Sequence, residues 1–207
     1  MTRTHNEAGP ATVPGLLRRL RRSDAAAFEA HLLRLDATAR NARFGGAVGD
    51  DALRRHARLS LDGGAAVYGW FEAGVLRGAG ELHRGSGVGG LAPAGDGEAA
   101  FSVEAGWQNR GIGTRLMRRV IAAAGTHGIG RVVVVCRSSN RMMQELARRF
   151  EARLEIVGGE TIGRLETPGP TPFTLLRATV GDSFDLAAAN VEWQAGLLLA
   201  SLLDRAA

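Results

Sequence analysis

The chain contains no lysine. Its 26 basic residues are all arginines, set against 21 acidic ones, which gives a formal net charge of +5 and a pI near 10.9. Without lysine there can be no Walker-type phosphate loop, because that loop needs the ammonium group. The arginines are spread along the whole chain, so the basic pI reads as a compositional bias and not as a nucleic-acid-binding patch. Cysteine is nearly absent too. A single thiol, Cys136, allows neither an internal disulfide nor a cysteine zinc site. No apolar run approaches the ~20 residues that span a bilayer, and the first residues, Met1 to Glu7, lack the apolar core of a signal peptide, so a cytoplasmic protein is the expectation. Aromatic residues make up only 5% of the chain, and Tyr68 is the one tyrosine.

What is present suits an ordinary globular domain. Hydrophobic residues are 45% and charged residues 23% of 207, which predicts one α/β unit with extensions. Residues 1–12 read as a loose tail. Leu16 to Leu20 suggests a first strand, with helix-start chemistry at Ser23 and Asp24. Phe28, Leu32 and Leu35 recur at helical spacing over Ala25 to Leu35, and a second short helix begins at Asp50 or Asp51, leaving Arg43 and Phe44 in the connection. Ala65 to Glu72 and Val75 to His83 flank a Gly-containing turn and predict a hairpin. Arg84 to Gly97 is a glycine-rich loop; its Gly87-Val88-Gly89-Gly90 has neither the helix nor the lysine of a phosphate site.

Glu98 to Val103 then reads as a strand, followed by a Gly-bearing turn and a helix opening at Thr114 that carries Leu116, Met117, Val120, Ile121 and Ala124 inward. Val132 to Cys136 is a continuous apolar run expected of a strand buried on both faces. A helix from Asn140 to Phe150 and a strand pair, Leu154 to Val157 and Thr161 to Leu165, complete the predicted domain over residues 13–166. Residues 167–207 form a Pro-rich linker and an apolar helix, Phe184 to Leu203, which either packs on its own domain or makes a homodimer contact.

The turn Gln108-Asn109-Arg110-Gly111-Ile112-Gly113 is the segment with chemical content. Glycines let backbone amides approach an anion, and the unpaired N–H groups of a helix N-terminus stabilise negative charge; Arg110 and Arg115 can add cationic contacts. The spacing excludes the dinucleotide fingerprint, since Thr114, Arg115 and Leu116 follow where its third glycine would stand. By itself the turn implies only that an anion can sit there.

Together with its flanking strand and with Asn140 downstream, the turn resembles the signature of the GNAT N-acetyltransferase superfamily, Gln/Arg-x-x-Gly-x-Gly/Ala opening a helix. Gln108, Gly111 and Gly113 match its fixed positions. The likeness spans about residues 13–165, and Arg43-Phe44, Glu98 to Val103 and Asn140 to Ala147 look most like the acetyltransferase domain of bacterial protein-acetylating enzymes. The resemblance implies an α/β fold with a mixed, mostly antiparallel sheet of six to seven strands and four flanking helices. It implies acetyl-CoA as cofactor. Phe101, Ser102 and Val103 would offer backbone groups to the pantetheine arm, the amides of Asn109, Arg110, Gly111, Ile112, Gly113 and Thr114 would hold the pyrophosphate, and Asn140 and Met143 would border the thioester.

The reaction that the resemblance implies is direct attack of a primary amine, either a protein lysine or a small molecule, on the thioester. A base must then take the ammonium proton. Glu98 is the first candidate and Glu104 the second; strand alternation puts both on one face with Ser102. Glu81 and His83 are candidates to line the acceptor site. Many relatives carry a tyrosine in the helix after the asparagine as acid toward the thiolate, but that place is Ala147 here. Two other readings stay open: a non-catalytic acyl-CoA-binding module of the same fold, and a nucleic-acid binder, against which the scattered arginines argue. Having no lysine, the chain cannot acetylate its own lysine side chains.

Overall fold

A computed structural model describes residues 15–85 and 95–169. The tail, most of the glycine-rich loop and the expected C-terminal helix with its dimer contact lie outside the described residues. Seven strands form one sheet: β1 (Leu16–Arg19), β2 (Ala65–Glu72), β3 (Val75–Arg84), β4 (Gly97–Val103), β5 (Arg131–Arg137), β6 (Arg153–Val157) and β7 (Glu160–Glu166). Their order is β1-β2-β3-β4-β5-β7-β6, and every neighbouring pair is antiparallel except β4 and β5. A parallel pair needs a crossover, and helix α4 (Ile112–Thr126) supplies it.

Helices cover both faces of the sheet. The described residues hold α1 (Ala25–Arg34), α2 (Ala37–Phe44), α3 (Asp50–Leu59), α4 and α5 (Arg141–Arg149), one more than the four expected. The extra helix is α2. Its run Ala-Thr-Ala-Arg-Asn-Ala-Arg-Phe buries no residue fully, so apolar periodicity misses it; Asp36 caps it by accepting from the Ala39 amide at 2.7 Å, and Gly45 ends it at φ 74°. Arg43 and Phe44 therefore belong to a helix and not to a loop.

On one face, α4 buries Ile112, Leu116, Met117, Val120, Ala123 and Ala124 against Tyr68, Trp70, Leu82, Ala99, Val132 and Val134. Each large aliphatic side chain so buried contributes about 1.5–3 kcal/mol. The more exposed α5 adds Met143 and Leu146 to this side. On the other face, α1 and α3 bring Phe28, Leu32, Leu53 and Ala57 against Val67, Phe71, Leu76 and Ala79. β2 and β3 are covered on both sides and are buried along most of their length.

α4 lies close to the sheet because β3 carries glycine beneath it. A Cβ on Gly80 would sit 3.1 Å from the Phe101 ring and 3.2 Å from Val120; one on Gly78 would sit 3.0 Å from Ile112. Valine suits a strand by propensity, so Gly80→Val isolates the packing term. We expect it to lower stability by about 1–3 kcal/mol through overpacking. Urea denaturation measures this, and an unchanged midpoint would show that the helix and sheet are not held this close.

Candidate functional site

The site is made by two strands that stop pairing. β4 and β5 are in register only at Gly97↔Val132 and Glu98↔Val133; beyond Glu98 they part. From Ala99 to Val103 the β4 edge facing β5 has no ladder partner, although its other edge stays paired with β3 as far as Val103. Unpaired strand edges seek hydrogen bonds, and an extended molecule laid along this one would find them.

A cleft of about 730 Å³ opens there, a volume suited to a cofactor or small ligand. Phe101, Ser102 and Val103 form one wall. The turn at Gln108, Asn109 and Gly111 to Thr114 forms its mouth, and Ser139 to Met143 the opposite wall. Thr38, Asn41 and Ala42 of α2 close it from the other face of the sheet.

The turn is shaped by its backbone. Asn109 (φ 59°) and Gly111 (φ 77°) both take the left-handed conformation. A Cβ on Gly111 would meet nothing, so glycine is needed there for its φ. Gly113 differs: a Cβ would meet Leu146 of α5 at 3.4 Å, so glycine keeps the helix start open between the two walls. Gln108 holds the turn closed by donating from Nε2 to the Val103 carbonyl at 3.1 Å. The helix opens at Ile112, two residues earlier than expected, and the Ile112 side chain is buried in the core. The free N–H groups of the first α4 turn thus meet the cleft.

α5 presents a second N-terminus. Asn140 caps it, its side-chain oxygen accepting from the Met143 amide at 3.0 Å. Both residues line the cleft, as do Arg137, Arg141 and Arg149, which the sequence reading missed. The signal was available for two of them: Arg141 and Arg149 stand eight residues apart on one helix face, with Glu145 between them paired to Arg149 at 2.5 Å. Arg110 and Arg115, proposed as cationic contacts, lie instead over the Trp107 ring (4.7 Å) and the Trp70 ring (5.1 Å), and neither lines the cleft.

The candidate bases have different surroundings. The Glu104 carboxylate accepts from Arg34 at 2.9 Å, Arg77 at 2.8 Å and His31 at 3.2 Å. Burial pushes its pKa up, but these hydrogen bonds outweigh that and bring it down to about 2. A carboxylate so committed is a poor proton acceptor. Glu104 instead fastens α1 to the sheet through His31, whose ring is fully buried. Burial lowers the His31 pKa; the neutral ring donates from Nδ1 to Glu104, and Nε2 accepts from the Ser102 hydroxyl at 2.9 Å. Glu98 is partly exposed, occupies the last paired position of the wedge, and its carboxylate has no hydrogen-bond or ion-pair partner among the described residues.

Glu81 and His83 are bonded to each other at 3.2 Å. Glu81 is 1% exposed, and its carboxylate also takes Arg43 at 2.6 Å, His56 at 2.8 Å and Ser60 at 3.2 Å. Burial raises its pKa, but Arg43, His56 and His83 together hold it well below the ordinary carboxylate range. Glu81 is thus a buried anchor rather than a lining residue. Phe44 meets the His56 ring edge-on at 5.3 Å, which gives the Arg43-Phe44 pair its place.

Residues 32–151 match the model of the Acetyltransferase (GNAT) family. The chain belongs to this family. The GNAT domain of S. lividans PAT superposes with a TM-score of 0.61 at 19% identity, covering 72% of this chain and 89% of that one. A putative acetyltransferase from Salmonella typhimurium, solved with its cofactor acetyl-CoA, gives a TM-score of 0.58 at 19% identity over 76% and 96% of the two chains. An N-acetyltransferase from Thermoplasma acidophilum in complex with coenzyme A gives 0.54 at 14% over 73% and 98%. At such identities these likenesses establish the GNAT fold alone. No curated protein matches the chain. Among the described residues no helix is long and apolar enough to cross a membrane, and no histidine, cysteine or carboxylate cluster could hold a metal ion.

The buried polar groups make stability depend on pH. His31 binds its proton more weakly folded than unfolded, so stability falls as pH drops below its unfolded value of 6.5. Glu104 likewise contributes fully above its unfolded value of 4.5, and that contribution is lost as pH falls through about 2; Glu81 acts in the same direction. Urea midpoints should therefore decline from about pH 7 downward in two stages, the first removed in His31→Gln. A flat midpoint between about pH 7 and pH 5 would contradict the neutral, buried state of His31.

Proposed function

We propose that this GNAT domain is an acetyl-CoA-dependent N-acetyltransferase acting on a primary amine, either a protein lysine or a small molecule. The observation that carries the reading is the wedge between β4 and β5, opening at Glu98 with a left-handed, Gly-bearing turn and the α4 N-terminus at its mouth.

The residues present fit the cofactor in three respects. The mouth is anion-seeking: first-turn amides of α4, the capped start of α5, and Arg137, Arg141 and Arg149 supply positive potential for phosphates. The wall Phe101 to Val103 offers an unpaired strand edge to an amide-bearing arm. Gly113, which lines the cleft, puts no side chain between α4 and α5, where a Cβ would already be in contact with Leu146. Bound there, the cofactor supplies an activated acetyl thioester. A strand rises about 3.3 Å per residue, so Glu98, which is not among the residues lining the cleft, lies roughly 10 Å from Phe101 along β4, at the apex where β4 and β5 part.

At that apex Glu98 takes the proton that the amine must lose as it becomes an amide nitrogen. A carboxylate without partners among the described residues keeps its lone pairs for this task, whereas Glu104 has given its own to two arginines and a histidine. No side-chain acid is assigned for the thiolate; Ala147, at the place of the usual tyrosine, is buried in α5 and carries no ionisable proton.

The test is to follow free thiol while acetyl-CoA and a panel of amines are mixed with the protein. Amine-dependent release is expected. Glu98→Gln should lower kcat by roughly 10²-fold or more while leaving coenzyme A affinity, read by calorimetry, unchanged. Tight coenzyme A binding with no release for any amine would instead make the chain a binding module.

A further inference from the structure

The proton taken by Glu98 needs somewhere to go, and the register of β3 and β4 sets a histidine opposite it. His83 and Glu98 are direct Cα partners across the antiparallel pair. Directly opposed residues share a face, with Cβ atoms about 4.5–5.5 Å apart. Glu81, two residues back along β3, shares that face as well, and its Oε2 lies 3.2 Å from His83 Nε2.

An ionised carboxylate only accepts, so His83 Nε2 must carry the hydrogen that Glu81 receives. In the neutral ring this leaves Nδ1 as the basic nitrogen. The carboxylate fixes the tautomer and stabilises the ring once it becomes positive, which is the logic of a carboxylate–histidine pair in general-base catalysis. Glu81 is itself held by Arg43 from α2 and by His56 and Ser60 from the α3 side, so the pair stands on three elements at once. His83, unlike Glu81, is partly exposed, with 31% of its side chain accessible to solvent. From β2 the facing residue is Ala65, which is uncharged. Among the described residues, the charged or titratable groups around His83 are Glu98 across the strand, Glu81 beside it, Arg43 beyond Glu81, and His56, whose ring centroid lies 6.3 Å away.

We propose that His83 is the second proton acceptor of the transfer, receiving through an intervening water the proton that Glu98 takes from the attacking amine and releasing it to solvent, with Glu81 as its positioning residue. The nitrogen–carbon bond forms, the carbon–sulfur bond breaks with the sulfur leaving as thiolate, and the one proton that the neutral amine loses moves from nitrogen to Glu98, then to His83 and to solvent. The proposal rests on Glu98 acting as base, and its test separates the two.

NMR of the histidine rings in the free protein gives a readout that needs no turnover. The expected result is that Glu98→Gln moves the ring resonances of His83, its cross-strand partner, and leaves those of His31 in place. No change would overturn the juxtaposition. In turnover, His83→Ala should reduce kcat/KM about 10-fold or more and alter the pH profile, with imidazole in the buffer restoring part of the rate. An unchanged rate and profile in His83→Ala, or a loss that imidazole does not rescue in a folded variant, would overturn the relay. If His83→Ala is without effect while Glu98→Gln is slow, the relay alone fails. If Glu98→Gln turns over normally, Glu98 is not the base, and the relay fails with it.

Discussion

The candidate site depends on two parallel strands ending their pairing after Glu98. A sheet gains by continuing its ladder, and β4 and β5 forgo it from Ala99 onward. The cost is tolerable because each strand is fully paired on its other side, β4 with β3 and β5 with β7. The separation also puts a helix N-terminus, a capped helix start and an unpaired strand edge around one cleft. The site is therefore a property of topology, and its side chains refine what the backbone already offers.

The two faces of the sheet have separate tasks. α4 and α5 supply the apolar packing and the anion-seeking turn, with Gly78 and Gly80 letting α4 settle close. The opposite face is tied down by ions. His31 and Glu104 join α1 to β4, and Glu81 gathers Arg43, His56 and His83 from three elements. Buried ion clusters are weak sources of stability, since desolvation offsets much of the attraction, but removing one member is costly. Their value here is in position: they fix α2 and the face on which Glu98 stands.

Much of this was legible in the residues. The hairpin, the buried strand at Val132 to Cys136, the Gly-bearing turn and the helix after Asn140 all carry strong local signals, and the structure has each. α2 was not read because its sequence lacks an apolar stripe, although Asp36 and Gly45 marked its ends. Spacing showed that Glu98, Ser102 and Glu104 share a face but not which carboxylate is free; only the approach of Arg34, Arg77 and His31 from distant parts of the chain decides that. The same limit applies to Arg110 and Arg115, whose partners Trp107 and Trp70 are set by tertiary packing.

The claim that the wedge between β4 and β5 receives coenzyme A is tested most directly by amide hydrogen exchange with and without the ligand. Added protection is expected only at residues 99–103, the turn from Asn109 to Thr114 and the start of α5, with the α1 and α3 face unchanged. Protection elsewhere, or none at the turn while coenzyme A is bound, would contradict it.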